Sequence, residues 1–219
     1  MRNTVIFDMD GTLLDTLEDI YLSVNEVLAG AGLPLRTRDE VRQFVGIGSQ
    51  ALMRRCIEGG ELNPKYGACH AAFQEYYHTH LNDHTVPYEG IVWLLDTLQQ
   101  AGFPMAIVSN KSDSAVKGLN REMFGERIPV AIGAQEGVRK KPAPDTVYEA
   151  MRELGVEKDA CVYVGDSETD LETAANAGIP CVCVAWGFRG RAALTDLGAE
   201  RIADTAQGLL DILKEYAGE

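Results

Sequence analysis

No run of roughly 18 apolar residues occurs in the sequence, so no segment has the length of a transmembrane helix. No CxxC pair occurs either. The five cysteines (Cys56, Cys69, Cys161, Cys181 and Cys183) are odd in number, which fits reduced thiols better than a disulfide framework. Cations are scarce: 20 Lys and Arg stand against 33 Asp and Glu, a net charge of −13. An acidic surface of that size repels phosphate backbones and excludes broad nucleic-acid binding. An anionic substrate must therefore be drawn in by a local cationic site. The apolar stretch before Asp8 is too short for a signal peptide, so the expected compartment is the cytoplasm. Internal repeats and low-complexity segments are absent.

What is present is an ordinary globular composition, 46% hydrophobic and 24% charged, over 219 residues, enough for one or two domains. Short β-branched or apolar runs recur at 4–7, 104–108, 130–132, 161–164 and 181–184. Continuous runs of this length suit strands buried on both faces. Helical patterns separate them. Ile91, Leu94, Leu95 and Leu98 share one helix face, and further helices are expected over 144–154 and 171–177. Strand–helix alternation implies right-handed crossovers and a parallel sheet. Residues 16–87 break that rhythm. Leu17, Ile20, Tyr21, Val24, Val27 and Leu28 form an amphipathic helix face, Thr37 and Glu40 form a capping box, and helices are expected over 49–57 and 66–81. The expected fold class is α/β. A doubly wound, Rossmann-like parallel sheet is built from residues 1–15 and 88–219, with an inserted four-helix-like domain at 16–87.

Ligands of open α/β sheets bind at the carboxyl ends of strands. The first run ends in Asp8-Met9-Asp10-Gly11-Thr12, the second in Ser109-Asn110-Lys111, and the fourth in Gly165-Asp166 with Asp170 close behind. Lys140-Lys141-Pro142 precedes a crossover helix. Each piece alone reads as a turn residue or a helix cap. Together, in this order, they bring carboxylates, a hydroxyl and a lysine to one rim.

This set, DxDGT followed by Ser, Lys-Pro and GDxxxD, resembles the haloacid dehalogenase superfamily of phosphohydrolases, and most closely its phosphoglycolate phosphatase-like branch. The resemblance runs over the whole chain and implies that the 16–87 insert is a helical cap. It implies Asp8 as nucleophile, forming an aspartyl-phosphate, and Lys141 as its counter-charge, with Lys140 facing solvent. Mg²⁺ prefers hard oxygens. It is expected on the carboxylates of Asp8 and Asp166 and the main-chain carbonyl of Asp10, with Asp170 either supporting that shell or serving as a plain first-turn acid. Ser109 and Asn110 would hold phosphoryl oxygens. Asp10 would protonate the leaving alcohol and then activate water. The superfamily's dehalogenases lack this acid, so Asp10 favours phosphate esters.

Gly46 and Gly48 precede a helix, and their amides could meet a substrate anion; a flexible turn is the alternative. Arg189 reads as an exposed loop arginine or a partner for a substrate carboxylate. All four histidines fall between His70 and His84, and His80 and His84 lie four apart, as helical metal ligands can. Without an HExxH pattern they read as a solvated cap face. The expected activity is Mg²⁺-dependent hydrolysis of small phosphate monoesters, phosphoglycolate among them, by a monomer or homodimer. The alternatives are a phosphomutase of the β-phosphoglucomutase type and, from another class, a phospho-aspartate signalling module. The expected partner is a small phosphorylated metabolite, with neither nucleic acid nor membrane.

Overall fold

In the computed structural model, which describes residues 1–218, the chain divides into two compact units. One comprises residues 1–14 and 87 onward, the other Asp15–Val86. The division falls inside two short strands, β2 (Leu14–Asp15) and β3 (Val86–Pro87), too brief to leave a pattern in the sequence.

The first unit is built on a six-stranded sheet. Its strands are β1 (Thr4–Phe7), β4 (Met105–Ser112), β5 (Val130–Ala134), β6 (Cys161–Gly165), β7 (Cys181–Val184) and β8 (Ile202–Ala203). The order is β5-β4-β1-β6-β7-β8, and every pairing is parallel. From β1 the chain winds outward to β4 and β5, then returns to β1's other side with β6. The order therefore reverses between β1 and β6, where a doubly wound sheet opens a crevice at its carboxyl edge. All four residues of β1 are buried, because helices cover both faces. One face carries Ile6, Val108, Ile132 and Tyr163 against Val147 and Met151 of α7 (Asp145–Leu154) and Ala174 and Ala177 of α8 (Glu168–Ala177). In α5 (Ile91–Gln100), Ile91, Leu94, Leu95 and Leu98 are the buried residues, as their spacing predicts. Full burial of each stabilises the unit by about 1.5–3 kcal/mol.

The second unit is helical: α1 (Leu17–Gly30), α2 (Arg38–Phe44), α3 (Ser49–Cys56) and α4 (Tyr66–Thr79). The apolar face of α1 is buried at Leu17, Ile20, Val24, Val27 and Leu28. Thr37 and Glu40 form the expected capping box, with Thr37 N donating to Glu40 Oε2 at 2.7 Å. Two expectations shift. Helix α8 begins at Glu168, three residues before its apolar pattern does, because Ser167 caps it. Helix α4 stops at Thr79, so His80 and His84 do not share a helix. The chain turns there: Asp83 Oδ2 meets His80 Nδ1 at 2.7 Å, and the amides of His84 and Thr85 reach the buried Asp19 carboxylate.

Candidate active site

Asp8 directly follows β1, and its amide donates to Val164 O of β6 at 2.8 Å. That bond stitches the two strands at the reversal and sets the aspartate at the carboxyl rim. Asp166 directly follows β6. Strand β4 runs four residues past its apolar stretch, through Ser109, Asn110, Lys111 and Ser112, with a register shift against β5 between Val108 and Ser112.

Lys141 joins these strand ends, although it lies in a loop. Its Nζ is 2.9 Å from Asp8 Oδ1, 2.8 Å from Asp170 Oδ1 and 2.9 Å from the Tyr163 hydroxyl. The Asn110 side chain donates to Lys141 O at 3.1 Å and ties the loop to β4. A buried ammonium is tolerable only with such partners. Burial opposes its charge, but Asp170 and Asp8 outweigh that and hold Lys141 well above the usual lysine range. Asp170 Oδ2 in turn accepts from Ser167 Oγ at 2.6 Å and from the amides of Ser167 and Asp166. Asp170 therefore caps α8 and orients Lys141 at once.

Asp166 is 1% exposed, and its Oδ2 accepts from Phe188 N at 2.7 Å. Glycines make room for it. A Cβ on Gly11 (φ +84°) or on Gly187 would fall under 3.0 Å from the Asp166 side chain. Carboxylate oxygens of Asp8, Asp166 and Asp170 lie within 4.8 Å of one another. Among the described residues, Asp8 Oδ2 and Asp166 Oδ1 have no protein donor. Carboxylate oxygens of buried acids left without a protein donor suit a hard divalent cation, and the donor set fits one. Burial pushes Asp8 up to about 7, against the pull of Lys141, with Asp170 and Asp10 adding to the rise. Burial also drives Asp166 well above the ordinary range, helped by Asp170 and Asp8.

Asp10 lies two residues beyond Asp8, with Lys111 Nζ 3.1 Å from its Oδ1. Ser109 is buried and its Oγ accepts from Lys111 N at 3.2 Å. The core unit thus carries Asp8, Asp10, Ser109, Asn110, Lys141, Asp166 and Asp170 on neighbouring strand ends, while Lys140 is exposed. Gly46 and Gly48 belong to the helical unit, where they precede α3 with φ of +124° and +89°. Arg189 is not an exposed loop arginine. Its guanidinium pairs in bidentate fashion with Glu168, at 2.7 and 2.9 Å, and only 13% of its side chain is accessible. Among the described residues the histidines form no metal-ligating group. His70 Nε2 is instead 3.1 Å from Ser49 Oγ.

Three participants escaped sequence reasoning. Tyr163 looks like core inside the apolar run of β6, yet its hydroxyl meets Lys141. Lys111 looks like the residue after a strand. Ser167 carried a usable signal, since Ser-x-x-Asp before a helix is a capping pattern.

A doubly wound sheet with two aspartates after its first strand, a lysine held between the first of them and Asp170, and an acid pair after β6 defines a phosphohydrolase-type core. Residues 5–184 match the haloacid dehalogenase-like hydrolase family, and the chain belongs to it. It is a phosphatase of the phosphoglycolate phosphatase-like branch. Phosphoglycolate phosphatase 1 of Pseudomonas aeruginosa is 30% identical over 97% of this chain and 80% of its own length. The phosphoglycolate phosphatase of Rhodobacter capsulatus is 34% identical over 86% of this chain and 87% of its own. A crystal structure from Lactobacillus delbrueckii subsp. bulgaricus, provisionally named phosphoglycolate phosphatase, superposes with a TM-score of 0.92. It shares 34% identity over 97% of this chain and 99% of that one.

Proposed function

We propose that this phosphatase hydrolyses small phosphate monoesters through an aspartyl-phosphate on Asp8, and that 2-phosphoglycolate is a substrate. The observation that carries the reading is the state of Asp8. One oxygen is held by Lys141 at 2.9 Å, and the other has no protein donor and is left for attack.

Phosphoryl transfer requires positioning and charge neutralisation above all. The Asp8 carboxylate attacks phosphorus, the ester P–O bond breaks, and the phosphoryl group passes to Asp8. Lys141 offsets the charge that Asp8 and the phosphoryl oxygens bring together. The Ser109 hydroxyl and the Asn110 amide bind phosphoryl oxygens. Asp10 gives its proton to the leaving alkoxide, then takes one from the water that attacks the aspartyl-phosphate, which returns Asp8 and releases phosphate. The carboxylates of Asp8 and Asp166, with the Asp10 carbonyl, would hold Mg²⁺. When bound, this cation supplies Lewis-acid neutralisation of the phosphoryl charge. Gly46 and Gly48 of the helical unit would offer amides to a substrate anion.

Two relatives at 30% and 34% identity bear the phosphoglycolate phosphatase name, which supports the substrate. The test is competition at equal concentration among 2-phosphoglycolate, a hexose phosphate and a nucleoside monophosphate, scored by kcat/KM. Phosphoglycolate is expected to lead. If either competitor is turned over about tenfold more efficiently, a gap of roughly 1.4 kcal/mol in transition-state binding, the substrate assignment fails.

A further inference from the structure

Lys111 is a buried cation that the mechanism above does not use; its side chain is 6% accessible. Burying an ammonium is costly, so its placement demands a reason. The backbone around it is fixed from two sides. Its amide donates to Ser109 Oγ at 3.2 Å. Its carbonyl lies against Gly133 of β5, where a Cβ would fall under 3.0 Å from Lys111 O and from the backbone of Asp113. The register shift after Val108 releases residues 109–111 from regular pairing, yet they remain inside strand β4. The ammonium is therefore delivered from a rigid element, and its Nζ stands 3.1 Å from Asp10 Oδ1.

We propose that Lys111 is a positioning residue for the reaction. Its ammonium holds the Asp10 carboxylate at the place from which it exchanges a proton with the leaving group. The proposal rests on the general acid/base reading of Asp10. Asp10 is a short side chain at the turn that enters Gly11, partly open to solvent, and the ion pair to a fixed buried ammonium favours one placement of its carboxylate. Misplacing a catalytic group by about 1 Å costs roughly 10²-fold in rate, so a fixed hold on this carboxylate bears directly on turnover.

The experiment compares two esters in the full-length Mg²⁺-loaded enzyme. The alkoxide of 2-phosphoglycolate needs a proton to leave, whereas p-nitrophenolate does not. The readout is the alkyl-to-aryl ratio of kcat/KM, which reports on the first phosphoryl transfer alone. Asp10→Asn should lower that ratio by roughly 10²–10⁴-fold. Lys111→Met should lower it by roughly 10–10²-fold, with aryl turnover within about threefold of wild type. Aryl turnover shows that the variant is folded and competent. Lys111→Arg should restore most of the ratio, and the Asp10→Asn/Lys111→Met double variant should be no worse than Asp10→Asn alone. Should the methionine variant not fold, Lys111→Gln carries the same comparison.

Equal loss on both esters, with weaker inhibition by inorganic phosphate, overturns the proposal in favour of a phosphoryl-binding lysine. An unchanged ratio in Lys111→Met, beside a lowered one in Asp10→Asn, overturns it and leaves the Asp10 reading standing. An unchanged ratio in Asp10→Asn overturns the acid/base reading and this proposal with it.

Discussion

Asp19 in the helical unit and Asp166 in the sheet unit are almost equally buried, at 2% and 1% exposure, yet the two units treat their carboxylates differently. Both oxygens of Asp19 accept hydrogen bonds. His84 N donates to the pair at 2.9 and 3.1 Å, and Thr85 gives its amide at 2.8 Å and its hydroxyl at 2.7 Å. That carboxylate is finished by the protein and ties the start of the unit to its end. Asp166 has one protein donor, Phe188 N, and Asp8 has one, Lys141 Nζ. Asp8 and Asp170 share one lysine with Asp166 close beside them, and among the described residues one oxygen each of Asp8 and Asp166 lacks a protein donor. A buried charge satisfied on every oxygen serves structure. One left short holds free energy that a ligand can recover.

The strongest way to break this contrast is to neutralise Asp8. Asp8→Asn should reduce turnover by roughly 10²-fold or more, since the amide cannot attack phosphorus. The metal-free variant should melt no lower than wild type at pH 8. One of three crowded acids loses its charge, and Lys141 keeps Asp170 as a partner. A large fall in melting temperature would place Asp8 in the structural class with Asp19. Asp166→Asn should weaken Mg²⁺ affinity by roughly 10–10²-fold in calorimetry, because an amide is a poor substitute for a carboxylate ligand. Full affinity in that variant would remove Asp166 from the metal site.

Much of the chemical half of this contrast was legible in the sequence, and the reasons are physical. An apolar run that ends in acids can only be a buried strand meeting a polar rim, so Asp8, Asp10 and Asp166 stand out. Lys141 is visible only through the Lys-Pro pattern and the order of motifs. Tyr163 is not visible, because a tyrosine in a buried strand is ordinary core until the fold brings Lys141 to its hydroxyl. Arg189 was misjudged for a similar reason: Glu168 is 21 residues away in sequence, and the pairing exists only once α8 is folded. Strands β2, β3 and β8 are two residues each, shorter than any period can register. Nothing in the sequence marks Asp19, since its donors come from 65 and 66 residues downstream.

The structural half is tested by Asp19→Ala. It strands two donors, the amides of His84 and Thr85, while the Thr85 hydroxyl keeps Leu81 O as an acceptor at 3.0 Å. At about 1–3 kcal/mol for a buried unsatisfied group, partly relieved by water, the expected loss is about 3 kcal/mol in denaturant unfolding. Mg²⁺ affinity should be unchanged. A variant that melts like wild type would show that Asp19 is not the tie its hydrogen bonds describe.

The smallest expected effect concerns pH. Asp8 is raised from 3.8 to about 7, chiefly by burial. A raised acid binds its proton more tightly folded than unfolded. Its contribution to stability is therefore fully present below the unfolded value and is lost as pH rises towards 7. The metal-free protein should lose part of its stability between pH 5 and pH 8 for this reason. Mg²⁺ reverses the sign. The ion needs the ionised carboxylate, so its binding releases the proton, and affinity should climb with pH by about tenfold per unit, at least up to about 7. Melting curves at fixed Mg²⁺ should show a shift that grows from pH 6 to pH 8. In Asp8→Asn the residual shift should lose the part of that dependence that Asp8 supplies and keep what Asp166 contributes. A Mg²⁺ shift that is constant across this range would mean that Asp8 gives up no proton to the metal, and the shared-charge account of the rim would fail there. The same scan on Asp19→Ala should follow the wild-type slope from a lower starting temperature, because that carboxylate sets the stability of its own unit and takes no part in binding the ion.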